Sequence, residues 1–223
     1  ITVEQNLDFV RGRLFRQSIL CREGRRVHPV PDLGRVADMH FAGCLKPENG
    51  ELDPDAPGFE VFLDESGAST RVAHPLSTAA LLVLGDLWPM SLSLPDLAAA
   101  ARERLTEPEG EAGDPRILAA VLVTVWSTGL LEVQATPYPF TWKIAPRPRT
   151  SPLARHQAGL GGNVTNLRHE RVALEDDTTR CVLGLLDGTR DLGDLLEQLP
   201  DLASSAELEA ALRWIAGMSL LME

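Results

Sequence analysis

Arginine is the residue type whose spacing most invites a chemical interpretation in this chain of 223 residues. Residues 11–35 hold seven arginines against only Glu23 and Asp32. A second basic stretch, residues 140–171, sets one acid, Glu170, against Lys143, Arg147, Arg149, Arg155, Arg168 and Arg171. A guanidinium group can bind a carboxylate through two parallel hydrogen bonds. Each stretch therefore predicts either an electropositive surface for an acidic partner or neighbouring domain, or internal salt bridges to the many Asp and Glu residues together with solvated faces.

The other residue types that carry chemistry do not fall into known patterns. The five histidines are scattered without an HExxH pair, and neither Cys21 nor Cys44 has a second cysteine close by. A G-x-S-x-G nucleophile elbow and a G-x-G-x-x-G fingerprint are both absent. The glycine-rich residues 159–163 lack the preceding strand and the Lys-Ser/Thr of a phosphate loop. The sequence therefore predicts no catalytic, cofactor-binding or metal-binding residue in this chain.

Charge and hydropathy limit the partners and the location of the protein. The formal net charge is −11 at pH 7, which disfavours non-specific binding to nucleic acid or to an anionic membrane. No apolar run approaches the roughly 18 residues that span a bilayer, and the first ten residues do not form a signal peptide. Three widely spaced cysteines suit a reducing cytoplasm. Because the chain begins with Ile1, we expect a fragment of a longer protein, with any catalytic domain outside it.

Hydrophobic spacing predicts an α+β fold that begins with a small α/β N-terminal domain over residues 1–74. The expected elements there are a helix over residues 2–13, a strand over 16–22, a strand over 40–46, and a hairpin that joins 59–63 to 69–73. Two winged-helix-like units follow, at residues 75–135 and 165–223. A Pro/Gly-rich linker at residues 136–164 separates them.

The two winged-helix-like units resemble each other in the order of their elements. VLGDLW at residues 83–88 is similar to VLGLLD at 182–187, and residues 119–132 are similar to 210–223. Both units run helix, turn, helix, loop, and a third helix that ends in a Leu-Leu pair. Either this is a true repeat, or two amphipathic segments look alike by chance. The second unit leaves little sequence for a wing, so it would be truncated or would take a wing strand from residues 172–175.

Winged helices commonly bind DNA, but the charges of the predicted helices argue against it here. DNA-binding helices carry Lys and Arg for the phosphates. The third helix of the first unit, predicted over residues 117–131, has no charge at all, and its counterpart sets Glu207 and Glu209 against Arg213. The uncharged helix fits a core element or a protein–protein surface.

Motifs along the whole chain resemble the predicted methyltransferase regulatory domain. The residues DFVRGRLFRQSILCR at 8–22 are similar to the opening motif of that family, in which Arg, Phe, Ser or Thr, Leu and Cys recur at fixed positions. The matching residues are Asp8, Arg11, Arg13, Phe15, Arg16, Ser18, Leu20 and Cys21; Ile19 stands where the family has leucine. MHFAGCLKP at 39–47 and residues 74–97 add support. Residues 153–191 are similar to the C-terminal winged-helix part of the same proteins.

The resemblance implies a parent enzyme, a bacterial S-adenosylmethionine-dependent methyltransferase related to protein-lysine methyltransferases. The catalytic domain of that parent, N-terminal to this segment, would hold the S-adenosylmethionine, and this chain would hold none. We therefore expect a non-catalytic regulatory or substrate-recognition module that packs on the methyltransferase domain and contacts a protein substrate. The candidate residues for that surface are Arg11, Arg13, Arg16 and Arg22.

Two other functions remain open from the sequence. The chain could be a stand-alone tandem winged-helix regulator that binds DNA. It could also be an assembly module in which the apolar third helices pair two copies.

Overall fold

The computed structural model describes Val10 and residues 21–25, 32–106, 114–199 and 204–222. The chain forms two compact units, residues 1–32 and residues 33–223. The predicted helix over residues 2–13 and the predicted strand over 16–22 lie outside the described residues, apart from Val10, Cys21 and Arg22. The described helices and small antiparallel sheets confirm the α+β class.

The larger unit contains two hydrophobic cores, and the first extends from Val36 to Leu131. We call residues 33–134 the first subdomain. Its elements, in chain order, are α1 (Leu33–Val36), β1 (His40–Ala42), β2 (Lys46–Pro47), β3 (Glu60–Leu63), β4 (Ser69–Val72), α2 (Pro75–Leu87), β5 (Leu92–Ser93), α3 (Leu94–Arg102), α4 (Pro115–Ser127) and β6 (Glu132–Gln134).

Two three-stranded antiparallel sheets belong to the first subdomain. One has the order β5-β1-β6, with Phe41 of β1 opposite Leu92 on one side and Val133 on the other. The second has the order β2-β3-β4, and its β3–β4 hairpin confirms the predicted one. The strand predicted over residues 40–46 was wrong as a single element. Its two ends, β1 and β2, belong to different sheets, and buried Gly43 lies between them.

The second core extends from Ala154 to Leu221, and we call residues 144–222 the second subdomain. Its elements are α5 (Pro152–Leu160), β7 (Asn163–Thr165), β8 (Arg171–Ala173), α6 (Asp177–Leu185), α7 (Leu192–Gln198) and α8 (Ser205–Gly217). Strands β7 and β8 pair with each other. The expectation that residues 172–175 supply a wing strand is therefore wrong, because β8 pairs with β7 in a hairpin that precedes α6.

Short polar side chains begin most of these helices, as the sequence indicates. Ser93, Ser151 and Asp176 each accept a hydrogen bond from a backbone N–H three residues on, and Asp191 forms a reciprocal capping box with Asp194. The predicted end of the third helix at Leu131 was wrong. Helix α4 stops at Ser127, because Gly129 adopts a φ of 85° that an α-helix cannot contain.

The two subdomains share one plan, which the structure shows residue by residue. In the first, β1 lies between β5, which precedes α3, and β6, which follows α4. In the second, Arg149 bridges to Asp187 before α7, and Thr150 bridges to Leu221 after α8. The buried residues of the third helices and of the segments that follow them correspond in order: Leu118, Leu122, Val125, Leu130 and Leu131 in one, and Leu208, Leu212, Ile215, Leu220 and Leu221 in the other. The similarity is therefore a structural repeat.

The sequence-based domain boundaries remain a prediction. Within residues 136–164, α5 contributes Ala154 and Ala158 to the second core.

Candidate functional site

The four arginines predicted for an interaction surface are only partly described. Arg22 is exposed, and its carbonyl oxygen accepts a hydrogen bond from the backbone N–H of Arg25 at 3.2 Å. Gly24 makes this turn possible with a φ of 81°. Arg11, Arg13 and Arg16 lie outside the described residues, so the surface that they would form with Arg22 stays a prediction.

The second basic stretch contributes part of its charge to the interior of the protein. Arg155 donates to the carbonyl oxygens of Thr150 (2.9 Å), which bridges to Leu221, and of Leu186 (3.1 Å), which precedes the bridge residue Asp187. Arg168 is buried, with a side-chain exposure of 3%. Arg168 therefore forms internal salt bridges, as one interpretation of the sequence predicted, whereas Arg155 bonds to backbone carbonyl groups and not to a carboxylate. Lys143 and Arg147 are exposed.

Arg168 joins the two subdomains through ion pairs to carboxylates on both sides. It lies in the loop between β7 and β8, and its Nη2 donates to Glu132 Oε1 at 2.9 Å and to Glu170 Oε1 at 3.1 Å. Its Nε donates to Glu170 Oε2 at 3.2 Å. Since Glu132 begins β6 of the first subdomain, this loop is held against the neighbouring subdomain by charge-assisted hydrogen bonds.

Aromatic rings and a carbonyl group complete the surroundings of this guanidinium. Arg168 lies over the ring of Trp88 at 4.3 Å, and the Tyr138 ring is 5.9 Å away. Its Nη1 donates to the carbonyl oxygen of Pro89 at 3.3 Å. A desolvated cation over an indole ring is worth about 2 kcal/mol. The planar guanidinium suits both contacts, which a lysine ammonium could not make together.

Asn166 fixes the loop that presents Arg168. Its Oδ1 accepts from the backbone N–H groups of Arg168 (3.0 Å) and Glu170 (2.8 Å). Its Nδ2 donates to Glu170 Oε2 at 3.0 Å and to the Met218 carbonyl oxygen at 3.1 Å, at the end of α8. One buried amide therefore connects the hairpin loop, its carboxylate and the last helix.

The same contacts determine the protonation of Glu170. Partial burial would raise the pKa of this carboxyl group, but the hydrogen bonds from Arg168 and Asn166 outweigh burial and hold its pKa below the usual 4.5. Glu170 is therefore ionised at neutral pH, as an ion pair with Arg168 requires.

A groove of about 540 Å³ opens beside this junction, with Trp88, Arg171, Trp214 and Met218 among its lining residues. Arg168 also lines it, but its four hydrogen bonds leave only one of its five N–H donors for a ligand. The chemistry of the junction is therefore that of a structural joint between subdomains and not that of an anion-binding site.

Sequence reasoning missed the partners of Arg168. Neither Trp88 nor Glu132 lies in a motif that marks it as a contact of a buried arginine. The nearest signal was local: Asn166 and Glu170 flank Arg168 at a spacing that suits a tight polar turn.

The described residues hold no group of three or more His, Cys, Asp or Glu side chains that could bind a metal ion. All three cysteines are free. Burial and the nearby charge of Glu65 raise the pKa of Cys44, whose thiol lies 3.6 Å from that carboxylate. A raised pKa keeps this thiol protonated, which is unsuitable for a nucleophile. No helix in the described part of the chain is long and apolar enough to cross a membrane.

The outer faces of the two third helices carry little positive charge. Helix α4 exposes Arg116 at its start and then Ala120, Thr124 and Trp126, which is 45% exposed. On α8, Arg213 is paired with Glu209 at 2.8 Å. Neither face has the cluster of cations that DNA phosphates require.

Residues 146–213 match the family model of the PKMT C-terminal winged helix domain. The match covers most of the second subdomain, including the Asn166 loop and Arg168. No curated protein matches the chain. The structure of PKMT2 from Rickettsia typhi is similar to this chain, with a TM-score of 0.73 at 19% identity, covering 100% of this chain and 49% of that protein. The same protein in complex with AdoHcy gives a TM-score of 0.72 at 19% identity, covering 99% of this chain and 49% of that one.

These comparisons confirm the resemblance to the PKMT proteins that the sequence motifs indicated. The chain spans about half the length of the solved proteins that it matches. The similarity in fold extends over both subdomains, whereas the family match is confined to the PKMT winged helix segment.

Proposed function

We propose that this chain is a non-catalytic regulatory or substrate-recognition module of a bacterial S-adenosylmethionine-dependent methyltransferase that acts on protein. The observation that carries the proposal is the match of residues 146–213 to the PKMT C-terminal winged helix domain. The whole chain adopts a fold similar to half of PKMT2, and the other half of such a protein would supply the methyltransferase domain and bind S-adenosylmethionine.

The surface chemistry supports a protein partner. Helix α4, in the position of a recognition helix, exposes Trp126 and small neutral residues, and aromatic side chains are enriched at protein–protein interfaces. The net charge of −11 repels nucleic acid and anionic membranes. Three free cysteines suit the reducing cytoplasm, where we place the protein.

The partners follow from this role. One is the methyltransferase domain of the parent protein, and the other is a polypeptide substrate. Arg11, Arg13, Arg16 and Arg22 remain the candidate residues for one of these contacts. A guanidinium surface of this kind would pair with carboxylates of the neighbouring domain or of the substrate.

The test is methyl transfer by the full-length product of the gene that encodes this chain. Protein extracts and tritiated S-adenosylmethionine serve as substrates. The intact product is expected to label protein, and removal of residues 146–213 is expected to lower labelling while leaving S-adenosylmethionine binding in place. A full-length product that neither binds S-adenosylmethionine nor transfers methyl groups would contradict the proposal.

A further inference from the structure

Within the described part of the chain, the β2-β3-β4 sheet ends at β4, whose outer edge faces a groove along helix α4. The groove has a volume of about 570 Å³. Its walls are the strand edge from Thr70 to Ala73 on one side and Ile117, Ala120 and Val121 on the other. A strand edge beside an apolar helix face is the arrangement that accepts an extended peptide by strand addition.

Hydrogen-bond alternation shows which backbone groups of β4 point outward. Asp64 N–H donates to the Ala68 carbonyl at 3.0 Å, which makes this pair a hydrogen-bonded one. In an antiparallel ladder the hydrogen-bonded pairs alternate, so Thr70 and Val72 bond to β3. On the opposite side of β3, the Glu48 N–H donates to the Val61 carbonyl oxygen at 2.9 Å. The backbone groups of Val61 therefore point away from β4, as this alternation requires. The N–H and C=O groups of Arg71 and Ala73 therefore point away from the sheet.

These outward groups have the exposure that an added strand needs. Arg71 and Ala73 are both exposed, and no hydrogen bond from another described residue reaches their backbone groups. The Arg71 guanidinium lies over the ring of Phe59 at 5.1 Å, on the outer face of the same hairpin. Phe59 itself is 59% exposed, so an apolar surface continues past the strand.

Charge selects the occupant of the groove. Among the residues that the structure describes, its lining includes Arg71 and Arg116 and no carboxylate, in a chain whose net charge is −11. The carboxylate that precedes Arg116, Asp114, is engaged in capping α4, where it accepts from the Arg116 backbone N–H at 2.8 Å. A second copy of β4 is a poor occupant, because a symmetric pairing centred on Arg71 would oppose two guanidinium groups.

We infer that the β4 edge and helix α4 bind an extended, acidic segment of a partner protein by strand addition. The backbone groups of Arg71 and Ala73 would pair with the segment, its apolar side chains would contact Ile117 and Ala120, and its carboxylates would meet Arg71 and Arg116. Strand addition at β4 does not depend on the methyltransferase assignment, since its evidence lies in the first subdomain alone.

The probe is a fluorescein-labelled, capped peptide of about eight residues in which glutamate alternates with valine, a length within the usual range of strands. Fluorescence polarisation is expected to show binding, and a lysine–valine peptide is expected to bind at least about tenfold more weakly because charge governs selection. A glutamate–proline peptide, which keeps the charge but cannot form a ladder, is expected not to bind. Amide exchange of Arg71 is expected to slow when the glutamate–valine peptide is added.

The matched variants are Ala73→Pro, which removes the outward N–H, and Ala73→Ser, which keeps it. Ala73→Pro is expected to weaken binding by about tenfold and Ala73→Ser to leave it unchanged, because one strand hydrogen bond is lost in the first only. The inference would be overturned if the glutamate–valine and glutamate–proline peptides bound equally well. It would also be overturned if the glutamate–valine peptide did not bind at about 1 mM. So would sedimentation showing a dimer in which Arg71 protection rises with protein concentration, because the occupant would then be a second copy.

Discussion

Arg168 Nη2 lies 2.9 Å from Glu132 Oε1, and this pair joins the hairpin of the second subdomain to the last strand of the first. The two residues are exposed to very different extents, 3% for the arginine side chain and 42% for the glutamate. The cation is therefore the buried partner, and its loss removes contacts to Glu170, Pro89 and Trp88 as well. The joint depends on the arginine more than on either carboxylate.

Replacing the buried arginine should destabilise the protein far more than replacing an exposed one. Arg168→Met is expected to lower the free energy of unfolding by about 2–4 kcal/mol, because the hydrogen bonds and ring contacts of the guanidinium are lost. The loss is not larger because the two half-exposed carboxylates can bind water instead. Arg213→Ala, which breaks an exposed pair with Glu209, is expected to cost less than about 1 kcal/mol. Urea unfolding followed by tryptophan fluorescence measures both. Equal losses for the two variants would show that Arg168 is not a joint.

The ion pair should also make stability depend on pH. The pKa of Glu170 is held below 4.5 in the folded protein by its hydrogen bonds, against the effect of burial. A carboxylate with a depressed folded pKa stabilises the fold above its unfolded pKa, and that contribution is lost as the pH falls through the folded value. The stability difference between the wild type and Glu170→Gln is therefore expected to shrink as the pH falls below about 4.5. Urea titrations between neutral and acidic pH measure it, and a difference that stays constant would contradict this assignment.

Replacement by alanine should have opposite effects on stability at two glycines that occupy corresponding places in the repeat. A Cβ on Gly85 would lie 2.3 Å from the backbone carbonyl oxygen of Leu45, whereas nothing lies within 4 Å of the Cβ position at Gly184. Gly85→Ala is expected to cost about 1–3 kcal/mol through overpacking. Gly184→Ala is expected to stabilise by about 0.5–1 kcal/mol, because alanine is favoured within a helix. Thermal unfolding of the two variants tests this, and a neutral Gly85→Ala would mean that α2 and Leu45 are not closely packed.

The fold predicts no binding to duplex DNA despite its winged-helix-like units. The third helices expose Trp126 on one and the Glu209–Arg213 pair on the other, without a cluster of cations. A gel-shift assay at physiological ionic strength is expected to show no retarded band with a random duplex. A band that weakens steeply with added salt would revive the alternative of a DNA-binding regulator.

Much of the fold could be predicted because its signals are local. Helices α2, α3 and α4 follow from apolar spacing with Pro75, Ser93 and Pro115 at their starts, and the β3–β4 hairpin follows from its turn residues. The sequence indicated the repeat, but only the pattern of buried residues shows which residues of the two subdomains correspond. Leu130 and Leu131 correspond to Leu220 and Leu221, with Ser219 at a φ of 56° in place of Gly129.

The junction could not be predicted because its contacts connect distant parts of the chain. Arg168 pairs with Glu132 and contacts Trp88, and nothing in the local sequence of any of the three distinguishes a buried cation from a surface one. The bridge between Thr150 and Leu221 was missed for the same reason, because the two residues lie near opposite ends of the second subdomain. Long-range pairing of single residues leaves no periodic pattern in a sequence.

We propose that this chain assists a methyltransferase without itself binding the methyl donor. Isothermal titration calorimetry of the purified 223-residue chain with S-adenosylmethionine tests this proposal. We predict no detectable heat of binding at ligand concentrations up to about 1 mM, the weak limit that corresponds to about −4 kcal/mol. Saturable binding with a micromolar Kd would overturn the proposal, because the cofactor site would then lie within this chain.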